Sequence, residues 1–194
     1  MAKVGLMYMV AAPFESHTDG SKPVYGKGIV ATKMVSADLT YEKNEVEFYA
    51  DDAMAESDNA ITGGSLTMEG DHFSNDARVL LFGVTKETDD DGDAYVTRAQ
   101  GSPYVGFGFI QVEQLAGAVT YKATWVYKAQ FSTQGISGST KGRNTEFRST
   151  QVSGKFMGVV IDQKAQAFIR DRDFSTPGAA KEWLNTLANV TPAA

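Results

Sequence analysis

The sequence predicts a mainly β protein, two packed antiparallel β-sheets flanked by short α-helices, and three observations carry that expectation. Residues 120–131, Thr-Tyr-Lys-Ala-Thr-Trp-Val-Tyr-Lys-Ala-Gln-Phe, alternate apolar and polar side chains with a period of two, the pattern of a strand with one buried and one wet face. Further strand-length runs recur along the chain between turn-forming segments. Only two segments carry helix caps together with helical spacing.

In chain order, a first strand is expected at 4–10. A ribbon then joins 29–40 to 45–51 through a turn at Tyr41-Glu42-Lys43-Asn44, with Val46, Phe48 and Ala50 alternating against Glu45, Glu47 and Tyr49. After a strand at 64–69 comes the first helix. Ser74 is its N-cap, Ala77, Leu80 and Leu81 have helical spacing, and Gly83 suits the position just past its end. Strands follow at 84–88 and 94–98. In the strand Tyr104–Val112, residues Val105, Phe107 and Phe109 share a face, and Gly106 and Gly108 leave the other open to close approach. The link Glu113–Ala118 suits a hairpin into 120–131, where only Val126 breaks the polar face. Trp125 is expected in the core, on one face with Tyr121, Tyr127 and Phe131. After strands at 147–160 and 165–171, Thr176 caps the last helix and Pro177 takes its first position. Ala180, Trp183, Leu184, Leu187 and Ala188 form its apolar stripe. Long loops are expected at 15–28, 51–63 and 132–144, within a single domain of 194 residues.

Composition narrows the chemistry. Cysteine is absent, which removes disulfides, thiolate nucleophiles and Cys-ligated metal sites. The formal charge of −6 opposes sequence-independent binding to nucleic acid, which depends on cations displacing counterions from phosphates. No secretory signal is evident at the start, and no apolar run approaches the ~20 residues of a membrane span.

Each motif with chemical promise has a plainer explanation. Glu87, Asp89, Asp91 and Gly92 follow a calcium-loop spacing, but the twelfth position is Arg98 and strands flank the run, so a solvated turn is expected. Gly106-Phe107-Gly108 continues to Gln111 with no helix after it, and Gly138–Gly142 lacks a phosphate-loop ending. Asp71, His72 and Ser74 have the residue types of a catalytic triad crowded into four positions, whereas a triad recruits separate segments. His17 has no motif around it. Asp51, Asp52, Glu56 and Asp58 form a carboxylate cluster without histidine. Asn189-Val190-Thr191 matches a glycosylation sequon, which carries no weight without secretion. No catalytic, cofactor or metal site is expected.

Several segments together resemble one family, the major tail tube proteins of long-tailed, non-contractile bacteriophages. They are Tyr25–Gly28, Val35–Asp38, Tyr49–Asp58, Pro103–Phe109, Tyr121–Phe131, Thr140–Gly142 before Glu146-Phe147, and Glu182–Asn185. They occur in the family's order and span roughly residues 25–187. The resemblance implies the tail-tube fold, a β-sandwich whose copies form six-membered rings that stack into a hollow tube for DNA. It implies a non-enzymatic virion protein, made in the host cytoplasm. Its partners would be further copies of itself, the tape measure protein, the tail terminator and the distal tail protein, with DNA passing without specific binding.

Under that expectation Asp51, Asp52, Met54, Glu56 and Asp58 lie in a loop that orders against a neighbouring subunit, with Lys141, Arg143 or Arg148 as basic partners. Phe107, Phe109, Tyr121, Trp125, Tyr127, Phe131, Trp183 and Leu184 are core. Glu45 and Glu47, or Lys122 and Lys128, face the lumen as pairs on one strand face. Six copies would carry about −36, the wrong sign for holding DNA. Two other functions fit the sequence less closely: a ligand-binding β-sandwich, such as a carbohydrate module with a Trp or Tyr platform, and a metal-dependent hydrolase built on the Asp51–Asp58 carboxylates.

Overall fold

The computed structural model describes the backbone of residues 2–50, 53–98, 100–115, 117–132, 149–162 and 166–191, and side chains for these apart from 2–4, 45–59 and 115. The elements in order are β1 (Ala2–Ser16), β2 (Val24–Tyr25), β3 (Ile29–Thr32), β4 (Met34–Ala50), β5 (Ala53–Gly70), α1 (Asn75–Phe82), β6 (Val84–Asp89) and β7 (Gly92–Thr97). They continue with β8 (Tyr104–Leu115), β9 (Ala118–Phe131), β10 (Thr150–Met157), β11 (Val159–Val160), β12 (Gln166–Ala167), β13 (Ile169–Phe174) and α2 (Pro177–Leu187). The protein is mainly β. Nine strands form one antiparallel sheet in the order β2-β1-β8-β9-β10-β5-β4, with β3 also on β1 and β13 also on β9; β6–β7 and β11–β12 are separate ribbons.

Around β1, β8 and β9 the sheet buries both faces. One core gathers Met9, Phe107, Phe109, Val126, Phe131, Leu66, Met68 and Phe156 with Ala77, Leu81 and Phe82 of α1. On the opposite face Val10, Ala12, Ile110, Ala123 and Trp125 pack against Ala180, Leu184 and Ala188 of α2. Gly106 and Gly108 make the second core close. A Cβ at Gly106 would overlap the rings of Tyr25 and Trp125, and one at Gly108 would meet Leu184, so the bare backbone lets indole and helix approach.

A β-bulge in β9 corrects the expected core face. Val105 pairs with Ala129 and Phe107 with Val126, so three residues of β9 span two of β8. An extra residue inverts the alternation. Tyr121, Ala123, Trp125 and Tyr127 therefore belong to the α2 face, whereas Val126, Ala129 and Phe131 belong to the α1 face. Trp125 is fully buried, as expected, but it does not share a face with Phe131, Phe107 or Phe109. Val126, the apparent interruption of a polar face, is a core residue. The sheet also forks here: before the bulge β9 pairs with β13, from Ile169 opposite Val126, and after it with β10, from Met157 opposite Lys128.

Both helices follow their sequence signals. The Ser74 hydroxyl accepts the Ala77 amide at 3.2 Å, and Gly83 adopts φ 67°, the left-handed conformation that closes the helix. Thr176 accepts the Ala179 amide at 3.4 Å ahead of Pro177. Leu184 is fully buried, while Trp183 is half-buried against Phe174, with the Arg170 guanidinium 5.6 Å from its ring.

The expected 15–28 loop contains the end of β1 and all of β2, and Tyr25 anchors it. Its hydroxyl donates to the Tyr127 carbonyl at 2.7 Å and accepts from the Trp125 indole at 3.3 Å. Burial holds that phenol well above the usual tyrosine range. The 132–144 loop lies outside the described residues from 133 onward.

Candidate self-assembly surface

The surface with the strongest functional character is made by the β4–β5 hairpin and β10. Two expectations are corrected at this hairpin. No turn occurs at Tyr41–Asn44, and the 51–63 segment is not a loop from Ala53 onward. β4 runs from Met34 to Ala50, and β5 pairs with it along that length, with register shifts at Met34/Ser36, Glu42/Lys43 and Phe48/Tyr49, ending with Ala50 opposite Ala53.

The body half of this ribbon is supported by β10, which pairs with β5 from Gly70 to Gly64. Rows across the three strands alternate cleanly. Ala37, Met68 and Val152 form one inward row, Leu39 and Leu66 lead the next, and Tyr41, Gly64 and Phe156 the third. A glycine in that third row lets the Tyr41 and Phe156 rings meet edge to face at 5.4 Å. The intervening rows point outward: Ser36, Glu69 and Gln151, then Asp38, Thr67 and Ser153, then Thr40, Ser65 and Lys155. This outer face is polar, built from short side chains, and slightly acidic. Ser36 and Ser149 both hydrogen-bond Glu69 across it.

Past Thr62 the ribbon continues without a third strand. Glu42 pairs with Gly63 and Lys43 with Ile61, so Thr62 is the bulged residue, and its hydroxyl donates to the Glu42 carbonyl. From Lys43 to Ala50 the two strands pair only with each other among the described residues. At 3.2–3.4 Å per residue that arm reaches roughly 25 Å beyond the supported sheet. Among the described residues no strand pairs with the outer edge of β4.

Charge is concentrated on the arm. Residues 45–58 hold six of the 24 acidic residues and no Lys or Arg, which leaves 18 acidic against 18 basic in the rest of the chain. The far end of the arm, residues 45–58, thus holds an acidic excess equal to the whole formal charge of −6.

The residues singled out in the sequence distribute as follows. Glu45 and Glu47 stand two apart on β4, opposite Asn59 and Ser57; Asp58, Glu56 and Met54 stand on β5 opposite Val46, Phe48 and Tyr49. The side chains of these acidic residues and Met54 lie outside those described, as do Asp51, Asp52, Lys141, Arg143 and Arg148 altogether. Lys122 and Lys128 are separated by the β9 bulge, which corrects their expected placement on one face. Lys122 sits 3.3 Å from Glu113, a largely buried carboxylate, while Lys128 lies over the rings of Tyr104 and Phe14 at 4.4 and 5.0 Å.

The other candidate motifs take structural places. Lys86 pairs with Asp93 at 2.7 Å, and that contact raises the lysine pKa and lowers the carboxyl's. Arg98 pairs with Glu87. The acidic 89–93 turn is thus the exposed tip of the β6–β7 ribbon, held by its own cations. Among the described residues no group of three or more His, Asp or Glu side chains is placed to hold a metal, and no helix is long and apolar enough to cross a membrane. His17 bonds the Val160 carbonyl at 3.0 Å.

The outward rows Ser36/Asp38/Thr40, Ser65/Thr67/Glu69 and Gln151/Ser153/Lys155 carry their signal in the sequence as polar residues at a period of two. Comparison of the chain with protein-family models and with curated proteins finds no match.

Proposed function

We propose that this chain is the subunit of a hollow, self-assembling tube of the phage-tail type, six copies to a ring, through which DNA passes without being held. The observation that carries the reading is the β4–β5–β10 surface. It is a sheet with one face in the core, a hydroxyl-rich and mildly acidic face outward, and a 17-residue edge strand whose outer side no strand pairs among the described residues. Long exposed edges template further pairing, and joining them between subunits into a closed barrel removes them. The outward rows, with Lys155 as their one cation, are assigned to the lumen. A wall with almost no cationic side chains gives DNA phosphates little to displace counterions with.

The fold supports the same reading. Met9 and Phe107, from one end of the sheet order, share a core with Leu66, Met68 and Phe156 from the other, as in a sheet folded over itself into two packed layers. The resemblance of residues 25–187 to tail tube proteins adds the ring number, the virion location and the tail partners. The carbohydrate-module alternative finds little platform in the tryptophans: Trp125 is fully buried, and Trp183 is half-buried with Phe174 and the Arg170 guanidinium against its ring.

Negative-stain microscopy of concentrated protein is the test. Tubes or stacked rings are the expected result, and single particles at every concentration and salt would overturn it. Titration calorimetry with calcium, magnesium or manganese separates off the hydrolase alternative, which needs binding heat at millimolar metal.

A further inference from the structure

Beside α2, among residues of β1, β3 and the segment just after β5, lies a cleft of about 490 Å³, a size within the range of small-molecule sites. A bulge makes its floor. From Met7 to Val10, β1 advances three residues while β8 advances two, from Ile110 to Gly108. The extra residue lets the consecutive side chains of Met7 and Tyr8 both pack against the α2 core. Tyr8 holds φ 60°, a left-handed conformation that bulky residues rarely adopt and that persists only where the surroundings impose it. Its hydroxyl donates to Asn185 of α2 at 2.7 Å, which keeps the ring beside the helix. Val30 of β3, opposite Val10, completes the apolar floor and is 47% exposed.

The rim is polar. Lys33 and His72 line it from just past β3 and β5, two segments tied by the Asp71 amide donating to the Lys33 carbonyl at 3.0 Å. Lys181 lines it from α2, 5.1 Å from the centre of the Tyr8 ring. Neither lysine has a carboxylate within 4 Å among the described residues, and Asp71 is the one carboxylate in the lining. An apolar floor under unpaired cations is complementary to an amphipathic anion. Lys33, Lys181 and Asp71 sum to one positive charge, which a single carboxylate balances. A phosphate monoester, at about −1.5 to −2, would leave excess negative charge beside Asp71.

We propose that this cleft binds a small amphipathic carboxylate, its apolar body against Met7, Tyr8 and Val30 and its carboxylate on Lys33 and Lys181. The site is complete within one copy of the chain, so it stands or falls separately from the tube reading.

Fluorine NMR on dilute full-length protein tests it with three probes. Fluorophenylbutanoate carries both body and charge, its primary amide the body alone, and trifluoroacetate the charge alone. The expected result is saturable broadening of the butanoate signal at millimolar concentration or below, with the amide about tenfold weaker and trifluoroacetate without saturable response. Lys33→Met with Lys181→Met should lower the butanoate affinity about tenfold and leave that of the amide unchanged. Val30→Asp should abolish binding of both. Thermal melts show whether each variant keeps the fold, and if Val30→Asp does not, the lysine pair decides alone.

Equal affinity for butanoate and amide would reduce the cleft to an apolar surface. Trifluoroacetate binding as tightly as butanoate would reduce it to a bare anion site. Either result overturns the proposal, as do a lack of saturation in the millimolar range and butanoate binding that survives loss of both lysines.

Discussion

The same two strands live in different worlds at their two ends. From Met34 to Tyr41, β4 and β5 are flanked by β10 and floored by Leu66, Met68 and Phe156, all nearly fully buried. From Lys43 to Ala50 they have no third strand among the described residues. The hydrogen-bond ladder alone is common to both. A ladder by itself contributes little net stability, because water offers the same bonds to the unfolded chain. The body half is therefore held by burial, and the arm is available to be held by something else.

The sharpest way to break this contrast is to attack the body half. Phe156→Ala removes a ring that is 1% exposed and meets Tyr41 and Phe168 edge to face, and should cost about 3–5 kcal/mol. A thermal melt should show a shift of many degrees or outright unfolding; an unchanged melt would mean that Phe156 is not what floors the ribbon. Gly64→Ala comes next. Its Cβ would overlap the Phe156 ring and the Thr40 carbonyl, so about 1–3 kcal/mol is expected, read by urea denaturation. A neutral result would mean that the aromatic pair moves aside freely.

Cutting back the arm should do least to the fold. Replacing residues 45–58 by a two-residue Asn-Gly turn should change stability by under about 1 kcal/mol, since loop length enters only logarithmically. Microscopy of the same variant should show no tubes. A large loss of stability would place the arm in the core, and normal tubes would make it dispensable.

The contrast also explains what could be read from sequence. Caps are local, so Ser74 with Gly83 and Thr176 with Pro177 fixed both helices within a residue or two. Gly106 and Gly108 marked the site of close approach because a missing side chain is visible in any register. The bulge in β9 was not legible, since one extra residue leaves composition unchanged and shows only in what pairs with what. Hence Trp125 and Phe131 were expected on one face and lie on two. The arm was misread for a related reason. Tyr41–Asn44 and Asp51–Gly63 are rich in polar residues and show no sustained period of two, so by sequence the one reads as a turn and the other as a loop. The carboxylates of 45–58 are visible in the sequence as a group, and counting the charge on either side shows that they equal the entire net charge.

That segregation has a consequence for assembly kinetics. If six copies close into a ring, as proposed, their acidic 45–58 segments bring like charges together, a repulsion that dissolved salt weakens, since screening at 0.1 M acts over about 10 Å. Light scattering against salt should therefore rise from low ionic strength. A profile that falls from the outset would show that this repulsion does not limit assembly. The protein would then carry, in the placement of its carboxylates alone, a setting for the ionic conditions under which it polymerises.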